Sequence, residues 1–200
     1  MNPDITREEL HHRTLDLHFY RLSNGLYEVT GRVTDVKTYP FRLQLATEEL
    51  PAGSPVHDIE VSLILDETLT VQDASAQMRA TPFGVCQGAR QTLSPLIGLK
   101  IAAGWNKKVR DLLAGSASCT HMMELLGPMA TTALQGVAPK RILEIDRPEN
   151  EHLRLAKVNS CFAYSDKREI VARLWPHLAK SDKTEKADKT SKTEISDKTD

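Results

Sequence analysis

The apolar residues of this chain change their spacing once. Up to about residue 80 they recur at every second position, and from Cys86 onward at every third or fourth. A period of two marks a half-buried strand, and a period near 3.6 marks an amphipathic helix. Strands first and helices afterwards predict an α+β fold: an N-terminal hairpin, a second strand pair, then several helices.

The strand half reads in detail. Residues 13–20 alternate, Asn24-Gly25 is a strong hairpin turn, and residues 26–36 alternate again, with Tyr27, Val29, Gly31 and Val33 on one side. Tyr39-Pro40 ends that strand, and residues 46–55 read as a loop rich in Pro, Gly and Glu. A third strand is expected over 57–65, with Ile59, Val61, Leu63 and Leu65 on one face. Asp66-Glu67 turns the chain into a returning strand over 69–76. Residues 1–12 are polar and are expected to be loosely ordered. The adjacent His11 and His12 would face opposite ways on a strand and so not share one metal.

In the helical half, Cys86, Ala89, Leu93 and Leu96 share one helical face, and Trp105, Val109, Leu112 and Leu113 a second, closed by Gly115. Met122, Leu126, Met129 and Ala133 share a third, in a helix that Gly127-Pro128 should kink or split. Residues 136–150 read as a linker with two prolines, and 158–164 as a short β segment. A last helix over 166–178 opens with Asp166 and Glu169 at capping-box spacing and buries Ile170, Leu174 and Leu178. From 180 to 200 the chain is Ser, Asp, Lys, Thr and Glu with little apolar content. Such a tail cannot offset its ordering entropy, so one folded domain over 1–179 and a disordered tail over 180–200 are expected.

Composition narrows the function classes. A formal net charge of -1 lacks the basic field of a general nucleic-acid binder. No apolar run reaches membrane-spanning length, and Met1-Asn2-Pro3-Asp4 does not open a signal region, so a cytoplasmic protein is expected. Three cysteines, Cys86, Cys119 and Cys161, are too few and odd in number for a disulfide framework. In a reducing compartment they read as buried thiols, metal ligands or reactive groups.

Chemistry concentrates at Cys119-Thr120-His121, at the start of the third helix. Unpaired N–H groups and partial positive charge at a helix start ease thiol ionisation. Cys86 opens the first helix, and His57 stands at the mouth of the third strand. Ends of elements on one side of a fold converge. His57, Cys86 and Cys119 are therefore candidate zinc or iron ligands, with Asp58, His121 or Cys161 as the fourth. The plain reading makes the cysteines core fillers and the histidines surface residues. Two positions apart on a helix, side chains point about 200° from each other, so Cys119 and His121 are not expected to pair directly. His57 or Asp58 is then the better base for a Cys119 nucleophile.

Two resemblances bear on these residues. Asn24–Val29, Pro55-Val56-His57-Asp58, Gly104-Trp105, Cys119-Thr120-His121, Glu124–Ala130 and Ser160–Tyr164 are similar to an uncharacterised bacterial family of unknown function. The likeness runs over about residues 11–178 and implies bacteria that degrade aromatic compounds and similar carbon sources. Residues 54–134 also resemble the U-type iron–sulfur cluster scaffold proteins. There a Pro-x-Cys-Gly-Asp start, two strands and two Cys-headed helices follow in order. Here His57 stands at the first Cys position, with Cys86 and Cys119 at the others.

Three functions follow. The first is a zinc- or iron-binding protein engaged in metal or iron–sulfur handling. The second is a small metal- or thiol-dependent enzyme, a lyase or hydrolase. The third is a non-catalytic interaction module whose cysteines are core. The small-molecule or protein partner is not specified by the sequence.

Overall fold

The alternation over residues 13–36 becomes a long antiparallel pair in the computed structural model, which describes residues 5–180. β1 (His11–Arg21) and β2 (Tyr27–Lys37) pair in continuous register, from His11 opposite Lys37 to Arg21 opposite Tyr27. Their turn is closed by Gly25 N–H donating to Leu22 C=O, with Gly25 at φ 87, where a side chain would be strained. The loop read over 46–55 contains part of a second, minor hairpin, β3 (Phe41–Arg42) with β4 (Glu49–Leu50). β5 (Pro55–Leu65) and β6 (Val71–Ala80) complete a four-stranded antiparallel sheet in the order β1-β2-β5-β6. The α+β expectation holds.

The returning strand begins at Val71, two residues later than expected. The Asp66 carboxylate accepts N–H bonds from Thr68 and Thr70 (2.8 and 3.0 Å), which holds Leu69 in a turn at φ 64. Leu69 is nevertheless fully buried.

After the sheet the chain coils. Residues Gly84–Leu96 form a 3₁₀ helix and not the expected α-helix. Gly84, Gly88 and Pro95 all weaken α preference there. α1 (Trp105–Leu113) buries Trp105, Val109 and Leu113 but leaves Leu112 exposed. α2 (Thr120–Gly136) runs unbroken through Pro128. Burial of Met122, Leu125 and Leu126 before the proline, and of Met129 and Ala133 after it, offsets the one lost backbone bond. α2 lies across β1, β2 and β5. Gly31 on β2 permits the approach, because a Cβ there would sit 2.8 Å from Met129 Cγ. The core is this layer: Val29, Val33, Ile59, Val61 and Leu63 of the sheet, packed against α2. Each such side chain contributes about 1.5–3 kcal/mol relative to exposure.

The chain divides into two compact units, Met1–Ala138 and Pro139–Asp200. The expected domain over 1–179 spans both, and the expected tail, beyond Lys180, lies outside the described residues. The second unit is helical: α3 (Ala138–Ile145), α4 (Glu151–Lys157), α5 (Glu169–Leu174) and two short 3₁₀ turns. Residues 136–150 are therefore not a linker. Pro139 sits in the first turn of α3, where a missing N–H costs nothing. The β segment expected over 158–164 is a run of turns, with Asn159 at φ 61. The last helix is shorter than expected. Asp166 does not cap it, because its carboxylate pairs with Lys180 at 2.8 Å, and Arg168 takes the cap position. The buried face shifts to Val171 and Trp175, leaving Ile170 and Leu174 exposed. Arg154 knits this unit by donating to the carbonyls of Ile145, Arg147 and Pro148. No helix among the described residues is long and apolar enough to cross a membrane.

Candidate functional site

Strand register assembles the first half of the site. Arg13 on β1 is opposite Asp35 on β2, and Asp35 is opposite His57 on β5. Three cross-strand neighbours share one face of the sheet, the face that α2 covers. A bulge follows at Asp35/Val36. Asp35 is 1% exposed yet fully satisfied. Its Oδ1 accepts from Arg13 Nε at 2.7 Å and His11 Nε2 at 3.1 Å. Its Oδ2 accepts from Arg13 Nη2 at 2.9 Å and His57 Nδ1 at 3.1 Å.

The start of α2 supplies the second half. Cys119 is the N-cap residue, with φ −79 and ψ 128, and His121 is the second residue of the helix. The expectation that these two could not pair assumed both on helical backbone. Because Cys119 is extended, its Sγ reaches His121 Nδ1 at 3.8 Å. His121 Nε2 points the other way, 3.6 Å from Asp35 Oδ2. The rings of His57 and His121 lie 3.7 Å apart, tilted by 31°. Arg13 Nη1 also reaches Glu124 on α2 at 2.8 Å, tying helix to strand.

Electrostatics sorts these groups. Burial pushes the Asp35 carboxyl up, but the Arg13 guanidinium with His57 and His11 more than offsets this and holds it at about 2. An ionised carboxylate only accepts, so His57 Nδ1 carries the proton and leaves Nε2 bare. Burial lowers the His57 pKa and neighbouring His121 lowers it further, so His57 is a neutral imidazole near pH 7. Burial alone would raise the Cys119 thiol. The His121 ring and the backbone N–H groups of Met122 and His121 outweigh it and bring the thiol below its ordinary value. The same bond to Cys119 raises His121, with Asp35 adding to the effect.

His57, Cys86, Cys119 and His121 all line one cavity of about 600 Å³. Asp58 does not join them. It follows His57 on β5, faces the other side of the sheet, and is clamped by Arg32 through two 2.7 Å bonds, with Arg79 at 3.7 Å. Cys161 is exposed in the second unit. Among the described residues, the ligand-type atoms that cluster within 4.8 Å of one another belong to Asp35, His57 and His121. Asp35 and Arg13 were absent from the sequence-derived set. The signal was there: position 35 continues the inward series Val29, Gly31, Val33, and a carboxylate on a core face demands a partner.

Fold and site together define an α+β protein with thiols and two imidazoles lining one cavity and a buried carboxylate behind the imidazoles. The chain belongs to the family described as "Protein of unknown function (DUF2889)", which matches residues 11–135 and so takes in the sheet, α1 and nearly all of α2. No curated protein and no solved structure matches the chain.

Proposed function

We propose that this cavity is the active site of a thiol-dependent enzyme. Cys119 is the nucleophile, His121 its proton partner, and Asp35 the buried anion that hydrogen-bonds His57 and lies 3.6 Å from His121. His57, neutral with Nε2 free, is the base for a second proton transfer. One observation carries the reading: sulfur, ring and carboxylate follow each other at 3.8 and 3.6 Å, and the carboxylate is anchored by Arg13. That is a nucleophile, a base and, within ion-pair distance of the base, a buried anion that favours its protonated form. Work on aromatic or similar carbon sources, implied by the first resemblance, suits the apolar cavity wall.

Alkylation by iodoacetamide, followed by peptide mass spectrometry, tests it. Cys119 is expected to react fast at neutral pH, and His121→Gln and Asp35→Asn to slow Cys119 while leaving Cys161 unchanged. Equal slowing of both cysteines, or none, would remove the proposal.

The 4.8 Å cluster of Asp35, His57 and His121 favours a second reading, a zinc or iron site with Cys119 beside it. The iron–sulfur scaffold resemblance belongs with this reading, supported by the order β5, β6, Cys86 segment and Cys119-headed α2. Against it, all four acceptor positions of Asp35 are taken by N–H donors. Metal analysis of untagged protein separates the two. About one equivalent of zinc or iron supports the second, and less than about a tenth, with alkylation unaffected by chelators, supports the first.

A further inference from the structure

The surroundings of Cys119 say what it would act on. None of the residues lining its cavity is Lys, Arg, Asp or Glu. The wall is mainly apolar, with Ile59, Phe83, Ala89 and Ala117 among uncharged hydroxyl residues such as Thr81 and Thr92, and Asp35 lies beneath His57 outside the lining. Pro82, Phe83 and Val85 belong both to this cavity and to an adjoining hollow of about 410 Å³ that also takes in Leu45. Leu45 is 90% exposed at φ 70, and Val85 is 85% exposed. A leucine held at positive φ with its side chain in water is a poor arrangement in the free protein. A long apolar group running from Cys119 through the cavity into the hollow would cover both side chains.

We propose that the site takes esters or thioesters of uncharged, apolar carboxylic acids, with the acyl chain lying along this path. The inference rests on the thiol reading above. The Cys119 thiolate adds to the carbonyl carbon and forms an S–C bond. The bond to the leaving oxygen or sulfur breaks, and His121 passes its proton to the departing alcohol or thiol. Water then attacks the acyl-cysteine and gives a proton to His57 Nε2. The S–C bond breaks and Cys119 leaves as thiolate. The proton on His57 returns to His121 through solvent. The sum is ester plus water giving acid plus alcohol or thiol, with no redox partner. A terminal charge on the acyl chain would lie against Pro82, Phe83 and Val85 with no cationic or anionic side chain in the lining to pair it, so it is disfavoured.

The test uses the full chain with para-nitrophenyl hexanoate, the mono-para-nitrophenyl ester of adipic acid, and the hexanoyl thioester of N-acetylcysteamine. The expected result is an acyl adduct on Cys119, formed at least about tenfold faster from the hexanoyl ester than from the charged adipoyl ester. Turnover of the thioester alone, or of the ester alone, identifies which leaving atom the site accepts; either supports the proposal. Val85→Lys, at an exposed position that leaves folding intact, should narrow or reverse the hexanoyl preference. Equal rates for the two acyl chains, or a preference indifferent to Val85→Lys, overturns the substrate assignment. Fast alkylation of Cys119 by iodoacetamide with no acyl adduct overturns the assignment while the thiol reading stands. Failure of both reactions removes both.

Discussion

Two buried carboxylates stand on neighbouring strands, one on each face of the sheet. Asp35 and Asp58 are 1% and 7% exposed, and each is gripped by the fork of an arginine on the adjacent strand, Arg13 or Arg32. By pairing alone they are equivalent. Their further neighbours differ. Asp58 has a second arginine, Arg79, at 3.7 Å. Asp35 has His11, His57 and, at 3.6 Å, His121, and above them the Cys119 sulfur and a cavity. An arginine clamp makes a carboxylate structural. Imidazoles on the remaining lone pairs let its charge govern where protons reside.

The comparison breaks most visibly at the sulfur. Cys119→Ala should reduce acyl transfer at least about 10³-fold, whereas Asp58→Asn should leave it within about twofold, measured as nitrophenolate release. Next comes folding stability. Asp35→Asn leaves Arg13 and three histidines facing a neutral amide and should cost about 3 kcal/mol in urea unfolding. Asp58→Asn should cost about 1 kcal/mol, because it strands no histidine and Arg32 and Arg79 remain partly solvated.

Acid sharpens the contrast further. The Asp35 carboxyl binds a proton less readily when folded, its pKa lowered from 3.8 to about 2. Its contribution to stability is therefore complete above pH 3.8 and is lost as pH falls through about 2, a change of about 2 kcal/mol. Stability against pH for the natural chain and Asp35→Asn should converge over that window. The smallest effect is at the ring. His121→Gln should move the pH profile of Cys119 alkylation upward and slow it roughly tenfold at pH 7, with folding little changed. Asp58→Asn should move neither.

Most of the sheet was legible from alternation, because one buried face forces a period of two. The site was half legible. His57, Cys86, Cys119 and His121 were named from residue type and their place at element ends. Parity would have gone further: Arg13, Asp35 and His57 fall on the inward positions of their strands, and Asp58 on an outward one. What alternation cannot show is which residues face each other, and that register is fixed by the Asn24-Gly25 turn and the β2–β5 pairing. The Cys119–His121 contact was disfavoured by a helical angle that does not apply to a cap residue. The second unit was misread because short apolar stretches such as Val158–Tyr164 carry too few residues to separate a strand from a turn.

The 3₁₀ coil at Gly84–Leu96 has a bearing on how this protein can diversify. With three residues per turn, every third side chain is stacked directly above the last. Cys86, Ala89 and Thr92, three apart, form one row along the cavity, while Leu93 and Leu96 form another that anchors the coil inside. An α-helix would have twisted the two rows into each other. Here a larger or smaller residue at 89 or 92 would re-bore the chamber while its foundations stay in place.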